Sequence, residues 1–220
     1  MGGAIAKGNL LKHCVPGSKF ESEIVEAMQR REVEGSSMRS FNGIILKFPK
    51  IEQSLRTCKT TFDQFDEDSN GVLDTEELKN CFKKLEINFT DDEINDLSKA
   101  CDINKNRGIE FNEYIVLMCI VYLLQEQGKP TVGLPQLEAT FETLVDAFVF
   151  LDKNRDGYVS KKEMMEAMNE TSETEQSSEC LATIRFEEMD WDKDGTVSFK
   201  EFLFALTRWI GIDELEYEQD

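Results

Sequence analysis

Histidine is almost absent from this 220-residue chain; the one copy is His13. That excludes triads built on a histidine base and zinc sites of the H-E-x-x-H kind. Phosphate-binding and nucleophile-elbow signatures are missing too: "GKPT" lacks the preceding glycine of a P-loop, and G-x-S-x-G does not occur. Catalytic readings therefore find no support, and the protein is expected not to be an enzyme. No long apolar run exists. The longest, Tyr114 to Leu124, has 11 residues, against the roughly 20 that a spanning helix needs. Basic residues are in short supply, 25 Lys and Arg against 44 Asp and Glu, for a net charge of −19. Such an excess repels nucleic acid and anionic membrane and favours metal cations or proteins with basic surfaces. The six cysteines never form C-x-x-C, and five fall within helical apolar patterns. With no secretory signal read at the N-terminus, reduced buried thiols in a cytoplasmic protein are expected.

What is present is a core and a repeat. Fifteen phenylalanines in so polar a chain argue for a packed interior rather than disorder. The acid is unevenly spread: residues 1–50 carry 8 basic and 5 acidic side chains, net +3, which leaves −22 for residues 51–220. In that acidic body four stretches echo one another: "DEDSNGVLDTEE" (66–77), "DINKNRGIEFNE" (102–113), "DKNRDGYVSKKE" (152–163) and "DWDKDGTVSFKE" (190–201). Three have Asp first, Asp or Asn third and fifth, Gly sixth, an aliphatic eighth and Glu twelfth, which is the EF-hand loop pattern. Calcium prefers six to eight oxygens at roughly 2.3–2.6 Å, and a tight loop offers alternate residues to it, with two oxygens from the Glu at position twelve. Glycine at position six permits the left-handed turn. The second loop keeps the acidic and amide positions but has Arg107 at position six, with Gly108 one place late. A left-handed Arg107 would be strained by roughly 1–2 kcal/mol. The loop is read as an EF-hand by descent, required as partner to the first, and its calcium binding is left open.

Around the loops, apolar residues recur at helical spacing: Phe62 and Phe65, Phe148 and Leu151, Phe186 and Met189 before them, then Leu78, Cys81, Phe82, Leu85 and Phe202, Ala205, Leu206, Trp209 after. Thr90-x-x-Glu93 is a capping box. First aspartates stand 36 residues apart in the first pair and 38 in the second, but 50 between pairs, the excess falling in "QEQGKPTVGLPQ". The predicted fold is all-α: two EF-hand lobes, four helix-loop-helix units in two pairs, with a partly helical N-terminal extension. The parts are an extension (1–50), a first pair (51–124), a linker (125–136), a second pair (137–212) and an acidic tail (213–220). The eighth residues Leu73 with Ile109 and Val159 with Val197 should pair as short strands.

These motifs resemble the calmodulin superfamily over roughly residues 51–210, and the length and extension look most like plant calmodulin-like calcium-binding proteins. The resemblance implies Ca²⁺ as the cofactor, with three sites and a fourth left open. The first would use Asp66, Asp68, Asn70, the Val72 carbonyl, Asp74 and Glu77. The third would use Asp152, Asn154, Asp156, the Tyr158 carbonyl, Ser160 and Glu163. The fourth would use Asp190, Asp192, Asp194, the Thr196 carbonyl, Ser198 and Glu201. In the weak second loop the candidates are Asp102, Asn104, Asn106, Glu110 and Glu113.

In the extension, Ser18-x-x-Glu21 can cap a helix presenting Phe20, Ile24 and Met28. "MRSFNGIILKFPK" (38–50) places Met38, Phe41, Ile44, Ile45 and Phe48 near helical spacing among basic residues. Two readings stand for it: docking on its own lobe as a target would, or extra core for the first lobe. "MGGAIAK" nearly matches an N-myristoylation signal at Gly2, with Ala6 where Ser or Thr is preferred, so an acylated or a free terminus both stand. The expected role is a calcium sensor that exposes an apolar groove, with Met164, Met165, Met168 and Met189 as candidates, and engages a target protein that carries a basic amphipathic helix. A calcium buffer, or a dedicated regulatory subunit of one enzyme, are the alternatives. No nucleic acid partner is expected, and membrane contact only if Gly2 is acylated; the location is cytoplasmic, peripheral to a membrane in that case.

Overall fold

Four helices start where the twelfth residue of a loop reaches back to the ninth. The carboxylates of Glu77, Glu113, Glu163 and Glu201 accept the backbone N–H of Asp74, Glu110, Ser160 and Ser198 at 2.9, 3.0, 2.8 and 2.9 Å. Asp74 and Ser198 complete the reciprocal box by accepting the N–H of Glu77 and Glu201. This satisfies amides that a helix start would otherwise leave unpaired. The computed structural model describes residues 19–32, 38, 40–124, 137–169 and 175–211. Gly2, His13, Cys14, the linker 125–136, the tail 213–220 and the side chain of Phe20 lie outside them.

The helices are α1 (Lys19–Glu32), α2 (Phe41–Ile45), α3 (Phe48–Asp63), α4 (Thr75–Lys84), α5 (Asp91–Cys101), α6 (Phe111–Leu124), α7 (Glu138–Leu151), α8 (Lys161–Asn169), α9 (Glu175–Met189) and α10 (Phe199–Ile210). Two antiparallel ladders join the loops in pairs, β1 (Val72–Leu73) with β2 (Ile109–Glu110) and β3 (Tyr158–Ser160) with β4 (Thr196–Ser198). Their registers set Leu73 opposite Ile109 and Val159 opposite Val197, all four buried, as the sequence predicts. The predicted capping box at Thr90 and Glu93 is present at the start of α5.

Helix α6 organises the molecule. Twelve of its fourteen residues are buried, as a helix apolar on every face requires. Its own lobe covers it with α3 and α5; α7 and α10 of the second lobe and α1 of the extension cover the rest. Helix α10 also reaches α3, so the lobes share one buried cluster. Phe62 meets Phe111 and Tyr114 edge-on at 5.5 Å in the first lobe, and Phe148 meets Phe199 and Phe202 at 5.2 and 5.5 Å in the second, spacings that aromatic pairs favour.

The segment 38–50 differs from a single amphipathic helix. It makes the short α2, turns at Leu46 and Lys47, and starts α3 at Phe48. Pro49 is the reason: without an N–H it fits only the first turn of a helix. Met38, Phe41 and Ile44 are buried, while Ile45 and Leu46 are 43% and 81% exposed. That burial fits both the docking and the core readings. Cys58, Cys81, Cys101 and Cys119 are buried free thiols, and burial pushes Cys81 and Cys101 up to about 12; such thiols are inert, whereas Cys180, also free, is exposed, against the expectation of burial.

Candidate metal centres

A loop that turns its oxygens inward must turn its backbone amides inward as well, and here the first aspartate collects them. In loop one Asp66 accepts the N–H of Asn70 at 3.0 Å and of Gly71 at 2.9 Å. In loop three Asp152 accepts from Arg155, Asp156 and Gly157, at 2.9, 3.2 and 2.8 Å. Loop four repeats this with Gly195 to Asp190 at 3.3 Å. The fifth residue then accepts the N–H two places on: Asn70 from Val72, Asp156 from Tyr158, Asp194 from Thr196. The carbonyls of Val72, Tyr158 and Thr196 are the backbone oxygens at position seven of their loops.

The twelfth residue spans each loop. While one carboxylate oxygen caps the exiting helix, the other accepts amides at positions two or three: Glu67 to Glu77, Ile103 and Asn104 to Glu113, Asn154 to Glu163, and Trp191 and Asp192 to Glu201. Ser160 and Ser198 at position nine add their hydroxyls to Glu163 and Glu201. Burial raises the Glu113 and Glu201 carboxyls above their usual value, because a desolvated anion is disfavoured.

The structure draws Asp66, Asp68 and Glu77 together, with ligand atoms within 4.8 Å of one another, and likewise Asp190, Asp192 and Asp194. Asp190 carries a further sign of fit: its Oδ1 is buried with no hydrogen-bond partner. A buried unpaired carboxylate oxygen is costly, and a cation is the group that would satisfy it. Loop three pairs Asp152 and Glu163, both buried, with Asn154 and Asp156, whose side chains hydrogen-bond each other at 2.9 Å. The donor set throughout is oxygen, suited to a hard cation such as calcium.

Loop two keeps the register. Asp102 accepts the N–H of Asn106 and Arg107, Asn104 that of Asn106, and Asn106 that of Gly108. Arg107 itself takes the left-handed turn, φ 71°, as Gly71, Gly157 and Gly195 do in theirs. Gly108 is therefore no displaced sixth-position glycine: it lies against Val72 of the partner loop, where a β-carbon would collide. Glu110, the ninth residue, is engaged by the Asn106 amide at 2.7 Å. The sequence reading missed one feature common to all four loops. Position four is also left-handed, at Ser69, Lys105, Arg155 and Lys193 with φ between 56° and 64°, and no shared residue type there announces it.

The sequence is similar to those of known proteins. A model of the EF-hand domain pair fits residues 56–119 and again 141–207. The Probable calcium-binding protein CML21 of Arabidopsis thaliana is 60% identical, with 98% of this chain and 95% of that protein covered. The Probable calcium-binding protein CML22 of the same plant is 36% identical, over 90% of this chain and 93% of its own. Calcium-dependent protein kinase 7 of Arabidopsis thaliana is 29% identical over 66% of this chain, which spans 24% of that kinase.

Proposed function

The chain belongs to the EF-hand calcium-binding proteins of the calmodulin-like kind, and from that membership we propose that it is a calcium sensor: calcium exposes an apolar surface that engages a target protein. The observation that carries this is the second-lobe methionine set. Met164, Met168 and Met189 are buried at 0, 6 and 1% exposure, and Met165 is packed against the same cluster. Flexible, polarizable side chains kept inside are what an opening lobe presents to varied helices. Similarity to part of a kinase named for its calcium dependence also favours regulation over buffering. The role is non-catalytic, in line with relatives named as calcium-binding proteins.

Loops one, three and four hold the ions through the residues assigned to them above, and loop two binds more weakly. A target helix would be amphipathic and basic, since the protein carries −19 and complementary charge steers such encounters. The protein works in the cytoplasm, and at a membrane surface where Gly2 is acylated. The test is binding of an apolar fluorescent dye, with magnesium throughout, before and after micromolar calcium. A large calcium-specific rise is the expected result. Calcium uptake without any rise would mean either a buffer or a groove already filled by residues 38–50, and the same assay on a chain lacking residues 1–50 decides between them.

A further inference from the structure

Helix α1 is not part of any EF-hand, yet it touches one calcium loop. Ile24, Ala27 and Met28 are buried in the shared cluster, and α1 packs on α6 and α7. On its adjacent face, Val25 straddles Gly157, the sixth residue of loop three. A β-carbon on Gly157 would lie 2.7 Å from both Val25 methyls, whereas one on Gly71 or Gly195 would meet nothing within 4 Å. One turn further along α1, Gln29 donates its side-chain amide to the Arg155 carbonyl at 3.3 Å. Arg155 and Gly157 are the two left-handed residues of that loop, φ 64° and 86°.

The contact falls on the turn that creates the binding geometry. The N–H of Gly157 donates to Asp152 at 2.8 Å in a buried bond; the matching bonds in loops one and four are only partly buried, at 2.9 and 3.3 Å. Excluding water from a bond to a carboxylate strengthens it, and fixing two left-handed residues removes freedom that calcium binding would otherwise have to remove. We propose that Val25 and Gln29 are positioning residues for calcium in loop three, so that the N-terminal extension sets the affinity of that loop selectively. This goes beyond the sensor reading and holds equally for a buffer. Linkage makes it reciprocal: if α1 favours calcium at loop three, calcium must tighten α1 onto the body.

The loops can be read one by one, because Gly71, Gly157 and Gly195 each donate an N–H to the first aspartate of their own loop. Their amide NMR signals would be followed while calcium is titrated into the full-length chain and into Val25→Ala and Gln29→Ala. The Gly157 midpoint should move to roughly fivefold higher calcium in Val25→Ala, within the usual range of such couplings, and by less in Gln29→Ala, whose side chain is exposed and leaves the core intact. Gly195 should follow weakly through the β3–β4 ladder, and Gly71 should stay. A Gly157 midpoint that does not move in either variant overturns the proposal. So does a Gly71 midpoint that moves as far as Gly157, which would mean general loosening. In the unaltered protein, calcium should slow hydrogen exchange across 24–31; unchanged exchange there contradicts the reciprocal half.

Discussion

Arg107 occupies a turn that the other three loops give to glycine, with φ 71°. The left-handed backbone costs a non-glycine residue about 1–2 kcal/mol, and Arg107 also adds a positive charge to the loop. Arg107→Gly should therefore stabilise the folded chain by about 1 kcal/mol, and by removing the charge it should also raise the calcium affinity of loop two. Arg107→Ala keeps the strain and removes the charge, so calorimetric titration of both variants separates the two causes. Asp190 makes the opposite kind of case, because its Oδ1 is buried without a partner. Asp190→Asn removes the buried charge that a cation would neutralise, so it should lower the melting temperature gained on calcium addition; thermal scans with and without calcium check it. Acid should act on Glu113 and Glu201, whose carboxyls burial holds above 4.5. Protonation favours the calcium-free fold, a contribution fully present below the unfolded value and lost as pH rises through the raised one. Calcium affinity at loops two and four should accordingly begin to weaken as pH falls through that raised value, as titrations followed with a calcium electrode at several pH values would record.

At the scale of elements, periodicity carried the EF-hand helices well. Phe62, Phe148, Phe186 and Leu78 are buried where helical spacing put them, and the ladders join the eighth residues named from the loops. The extension was less legible. Spacing in 38–50 suggested one amphipathic stretch, but Pro49 divides it between α2 and α3, and helix-breaking chemistry outranks apolar period there. Nor does any periodicity tell which surface α1 covers, since a non-local seat is set by what the partner leaves bare. Its seat is fixed in part by Arg31, which donates to the Tyr122 hydroxyl at 2.8 Å and lies over the same ring, 4.9 Å from its centre. Tyr122→Phe keeps the ring contact and loses the hydrogen bond. It should weaken the seating of α1 by about 0.5–1.5 kcal/mol, seen as faster amide exchange along α1 with loop one unchanged.

At the scale of the molecule, the two lobes are not independent beads. Helix α6 belongs by sequence to the first lobe yet packs against α7 and α10 of the second. A helix with twelve of fourteen residues buried cannot be left half-covered without exposing a large apolar face. Ile120, 1% exposed, sits where this matters: it lines a cavity of about 420 Å³ that α1 and α5 share with Tyr158 and Phe199 of the second lobe. Shortening it enlarges a space already there, so neighbours have little reason to collapse inward, and Ile120→Ala should cost about 2–5 kcal/mol. Because the contact joins the lobes, that loss should appear in both. In urea, the amide signals of Gly71 and Gly195 should disappear at one common midpoint in the unaltered protein, the mark of a single cooperative unit. Both midpoints should fall together in the variant. Two separate midpoints, with only one moved by Ile120→Ala, would mean that each lobe holds its own core and that α6 merely touches its neighbour.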